Sequence, residues 1–145
     1  MRTVLLLVLA ALLAVLGGCG HKKGFEKEGY AYGCPIGDAK VSNMEDLVRS
    51  KVSMEGSRTT VIVSEMRCTM TTGDLMKIDA TLNNDSSKVK RVAYKFRWID
   101  KEGIRAADEE GWKPLMLYEK SNHIVQEVSP TPKAVDFRIV IMSQE

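Results

Sequence analysis

The chain has 145 residues, 44% of them hydrophobic, with 21 Lys and Arg against 19 Asp and Glu. That length suits one domain with one core. The near balance of charge argues against nucleic-acid binding, which calls for a strong basic excess on one element. The chain holds three cysteines and two histidines, with no CxxC or HxxxH spacing. A zinc site from Cys34, Cys68, His21 and His123 is therefore not expected, and no other metal or cofactor is.

The first element is N-terminal. Arg2 precedes an almost unbroken run of Val, Leu and Ala from Val4 to Leu16. A positive start, a short apolar stretch and small residues are the parts of a secretory signal. The run falls short of the roughly 20 residues of a comfortable membrane span. It ends in Leu16-Gly17-Gly18-Cys19, which resembles the lipobox of bacterial lipoproteins. The resemblance implies cleavage before Cys19 and acylation of its thiol. Each buried CH₂ adds roughly 0.8 kcal/mol of membrane affinity, and two or more chains anchor stably. Arg2 is the sole ionisable side chain among residues 1–18, so the remainder is closer still to neutrality.

The domains expected are a signal peptide over 1–18, a lipidated cysteine with a flexible tether over 19–40, and a β-sandwich over 41–145. Glycines at 20, 24, 29, 33 and 37 and Pro35 give the second segment its tether character. Tyr30 and Tyr32 within it are suited either to packing on the domain or to lying near lipid headgroups. Cys34 and Cys68 are an even pair once Cys19 is lipidated. In an exported protein they can form a disulfide closing a loop of roughly 35 residues, worth about 3–4 kcal/mol. The alternative is two free thiols.

Ser42-Asn43-Met44-Glu45 fits a capping box ahead of Met44, Leu47, Val48 and Val52 at helical spacing. Val52–Met54 suits a strand equally well. From residue 59 the period becomes two. Strands are predicted within 59–70, along Met76–Leu82, along Val92–Trp98, more weakly at Leu115–Tyr118 and His123–Val128, and from Val135 to Ile141. Turns are predicted at Asn83–Ser87 and Asp100–Gly103, and Pro130-Thr131-Pro132 forces an extended connection. One-sided alternation and the lack of long helices between strands point to an antiparallel, all-β sandwich.

Tyr94-Lys95-Phe96-Arg97-Trp98-Ile99-Asp100-Lys101-Glu102-Gly103 resembles the Y-R-F-x-W-x-D-x-x-G segment of the YcfL-like family of bacterial lipoproteins. Leu82-Asn83-Asn84 is similar to its strand-ending L-x-N. Ser129 to Ile139 is similar to its proline-rich corner and last strand. The resemblance spans about residues 75–145 and implies an immunoglobulin-like sandwich in the periplasm on a lipid anchor. It implies no catalytic residue.

The residues themselves assemble no catalytic set. His123 has no nucleophile elbow to serve, and His21 lies beside the anchoring cysteine. Asp108-Glu109-Glu110 reads as a solvated loop, because three consecutive acids cannot converge on one site. Tyr94, Phe96 and Trp98 read as core. Trp112, after that acidic loop, is suited to capping the core edge or to anchoring a partner. The expected function is a non-enzymatic lipoprotein of the outer membrane, facing the periplasm, which binds or scaffolds an envelope protein or complex. Trp112, Tyr30 and Tyr32 are its candidate contact residues. The alternative is a structural lipoprotein subunit of a secretion or surface-appendage complex.

Overall fold

A computed structural model describes residues 29–56 and 59–144 of the chain. The signal segment, Cys19 and His21 lie outside the described residues. In chain order the elements are β1 (Tyr30–Ala31), β2 (Cys34–Pro35), α1 (Met44–Lys51), β3 (Val52–Glu55), β4 (Val61–Met70) and β5 (Met76–Asn84). They continue with β6 (Lys90–Ile99), β7 (Lys113–Leu117), β8 (Ser121–Val128) and β9 (Asp136–Ser143). Among the described residues no helix is long and apolar enough to cross a membrane.

Two sheets carry the architecture, one ordered β3-β9-β6-β7 and the other β4-β5-β8. Their alternating apolar faces meet. Val92, Phe96 and Trp98 on β6 and Phe137, Ile139 and Ile141 on β9 share one buried cluster with Val61, Met66, Ile78, Ala80, Leu82 and Val125. Phe96 stacks on Trp98 at 5.7 Å, and both rings lie 6.4 Å from Phe137. Strand pairing is antiparallel except for β3, which runs parallel to β9. That parallel pair departs from the wholly antiparallel expectation.

Both readings of the 42–54 segment hold in part, since a helix and a strand follow one another directly. Asn43, not Ser42, caps α1, accepting from the Asp46 N–H at 2.9 Å, while Asp46 accepts from the Ser42 N–H at 3.1 Å. Leu47 buries the inner face of the helix. Lys51, at its last turn, is 1% exposed and ion-paired to Asp136 at 2.6 Å. Burial pulls the Lys51 ammonium pKa down, and Asp136 opposes that shift.

The expected turn at Asn83–Ser87 begins later than its composition suggests. β5 runs through Asn84, which is fully buried. Its amide donates to the carbonyls of Lys88, Leu117 and Tyr118, and its Oδ1 accepts from Ser86. A polar turn former thus becomes the tie among three chain segments, which satisfies carbonyls that would otherwise be buried without donors.

The tether departs from expectation too. Residues 29–36, within the stretch expected to be flexible, are packed. β1 and β2 form a hairpin whose Ala31, Cys34 and Pro35 are buried. Cys34 is disulfide-bonded to Cys68 of β4, and the Cys68 N–H donates to the Tyr32 carbonyl at 3.3 Å. Gly33 is obligatory here, because a Cβ would lie 2.1 Å from the Cys68 carbonyl oxygen.

Candidate functional site

β6 presents Ala93, Lys95 and Arg97 on the face turned away from the core, the face that alternation assigns to solvent. That face is covered at Ala93 and Lys95, while Arg97 stays exposed. Ala93 and, across the ladder on β9, Val140 are fully buried, and Lys95 is 7% exposed. The cover is the segment after the Asp100–Gly103 turn. Asp100 accepts from the N–H groups of Glu102 and Ile104, both at 3.0 Å, and Gly103 sits at φ +79°. Arg105 then bridges back to Ile99, and the Ala106 N–H donates to the Trp98 carbonyl.

Three cations converge on Glu109 at the outer face. Lys95 Nζ lies 2.5 Å from its carboxylate, Arg97 Nε 3.4 Å and Arg105 Nη2 3.6 Å. The hydrogen bond from Lys95, and then its charge, hold the Glu109 carboxyl below the usual carboxylate range. Lys95 also stands 4.3 Å from the centroid of the Trp112 ring, so its ammonium lies between a π-face and a carboxylate. Arg97 reaches on to Glu55 of β3 at 2.7 Å. The acidic run is not merely a solvated loop, because Glu109 and Glu110 are both engaged and in different places. Glu110 points to the sandwich margin, where it accepts from Trp98 Nε1 at 2.8 Å. Lys113 lies 3.2 Å from Glu110 and is also paired with Glu127 of β8, bridging the two sheets. Burial lowers the Lys113 pKa, and the two carboxylates outweigh it, so the net shift is upward.

The three candidate contact residues do not converge. Trp112 is half-buried on the covered outer face of the four-stranded sheet. Tyr30 is half-buried in β1, and Tyr32 stands at the tip of the β1–β2 hairpin with half its surface exposed. His123 is exposed on β8. Among the described residues no group of three or more His, Cys, Asp or Glu side chains is placed to hold a metal. One feature had no sequence signal. An apolar groove of ≈ 620 Å³ opens between α1, β3 and β4, lined by Met44, Val48, Val52, Met54, Ile62 and Val63. Its residues come from three separate elements, and only the meeting of two sheet margins creates it.

The fold and these surfaces define a small β-rich domain of two sheets around one core, with a disulfide-pinned N-terminal hairpin. Residues 45–143 match the model of a family described as a protein of unknown function, DUF1425, and the chain belongs to that family. A solved structure of a family member from Shewanella sp. pv-4 is similar, with 32% identity and a TM-score of 0.51, covering 56% of this chain and 75% of that one. Campylobacter jejuni cj0090 shares the fold at a TM-score of 0.56 and 22% identity, covering 65% of this chain and 98% of that one. No curated protein matches the sequence.

Proposed function

We propose that the protein is a non-enzymatic lipoprotein of the outer membrane. In this reading Cys19 is its acylated N-terminus, and its periplasmic domain, of immunoglobulin-like type, binds or scaffolds an envelope protein. The carrying observation is Leu16-Gly17-Gly18-Cys19 at the end of a short apolar run behind Arg2. Gly20 follows the cysteine in place of the aspartate that typically retains lipoproteins at the inner membrane, which favours the outer one. The division into four and three strands around one core supports the immunoglobulin-like reading. The disulfide supports an oxidising compartment.

The test is Cys19→Ser in the full chain, followed by membrane fractionation and intact mass. Loss of the acyl mass and release from the membrane fraction are expected. An acylated, membrane-bound Cys19→Ser protein would overturn the reading.

A further inference from the structure

Tyr32 combines three properties that rarely coincide. It occupies the left-handed region at φ +53°, followed by Gly33 at φ +78°. Two successive positive-φ residues in a two-residue hairpin loop are the requirement of a type I′ turn, for which Asn-Gly is the preferred pair. A bulky side chain at positive φ is uncommon and costs conformational energy. Yet this tyrosine is half-exposed, so burial of its ring offsets that cost only in part. The hairpin that carries it is also rigidly fixed, by the Cys34–Cys68 disulfide, by the Cys68 N–H on its own carbonyl, and by the close seating of Gly33. Met70, two residues past Cys68 at the end of β4, is 56% exposed.

The position of this tip in the chain says what it would meet. Gly29, at the foot of the hairpin, is ten residues from Cys19, and ten residues span at most about 36 Å when fully extended. The opposite end of the domain is marked by Asn84, which pairs with Val61 and donates to the Tyr118 carbonyl. Val61 lies seven residues from Cys68 along β4, about 23 Å at the rise of a strand. Bringing that far end to the bilayer would consume most of the connecting chain's reach. The hairpin end needs almost none of it.

We propose that Tyr32, together with Met70 at the same end of β4, contacts the lipid surface in which the chain is anchored and so fixes which end of the domain faces the membrane. The proposal rests on the lipid-anchor reading. A tyrosine suits such a boundary because its ring is apolar and its hydroxyl is polar. The expense of a tyrosine at a turn position suited to asparagine then has a reason.

The test uses the full acylated protein in vesicles of phosphatidylethanolamine and phosphatidylglycerol with brominated acyl chains. Tyr32→Trp and the far-end control Tyr118→Trp are compared with the parent, whose Trp98 and Trp112 supply the background. Tyr32→Trp is expected to lose at least about half of its excess emission to bromine, as an aromatic at headgroup depth should. Tyr118→Trp is expected to lose none. Tyr32→Asn, which suits the turn and keeps the hairpin folded, provides the second arm. In vesicle-bound parent, Met70 is expected to oxidise more slowly with aqueous peroxide than Met116, which is 48% exposed; in Tyr32→Asn the two rates converge. Co-flotation is measured on every sample. A floating protein with unquenched Tyr32→Trp, or with Met70 as reactive as Met116, overturns the contact and leaves the anchor standing. A protein that does not float overturns both.

Discussion

The two faces of β6 are built from alternate residues of one strand and held by different physics. Inward, Phe96 and Trp98 are buried among other apolar side chains, where the loss of apolar surface from water dominates. Outward, Lys95 is nearly as inaccessible, but what covers it is a chain segment pinned through Glu109 to Lys95, Arg97 and Arg105. Burial by itself is therefore a poor guide to energetic weight. Apolar burial of a large ring is worth several kcal/mol, whereas partly exposed ion pairs are screened and each worth little.

Three experiments sharpen this contrast. Trp98→Ala removes a ring that is 2% exposed, together with its Nε1 hydrogen bond to Glu110. It should cost about 3–5 kcal/mol in urea denaturation. Lys95→Met keeps an apolar stem under Trp112 but deletes the ammonium, and should cost only about 1 kcal/mol, the scale of one cation–π contact. Its clearer signature is greater acrylamide quenching of Trp112, with Trp98 still protected. A Lys95→Met loss as large as that of Trp98→Ala would erase the distinction between the faces.

The smallest effect is expected from acid. The folded pKa of Glu109 is depressed below its ordinary value of 4.5. Its contribution is thus present above that value and lost as pH falls through the folded pKa. As pH falls from 4.5 through that depressed pKa, Trp112 should become accessible to acrylamide before the core unfolds, and Glu109→Gln should show that accessibility already at neutral pH. Trp112 and Trp98 changing together at every pH would mean that the covering segment and the core melt as one unit.

Much of the sandwich was legible because a period of two exposes its own purpose. Met76 to Leu82 and Val92 to Trp98 alternate cleanly, and each became a strand with its apolar residues inward. Asn84 misled because its composition signals a turn, while its burial depends on carbonyls of Leu117 and Tyr118, over thirty residues away. β1 and β2 were illegible as strands because two-residue elements carry no period. Their place on the domain is set by long-range ties to Cys68, the disulfide and the hydrogen bond to the Tyr32 carbonyl.

By itself the sequence determined the inward faces of the long strands and the Asp100–Gly103 turn. Each rests on neighbours within a few residues, where spacing alone sets the chemistry. Tertiary structure alone decided that the outer face of β6 is roofed, that Glu109 serves three cations, and that Tyr32 stands at a fixed hairpin tip. Those outcomes depend on contacts between distant segments, and a local pattern contains no information about which distant segment will arrive.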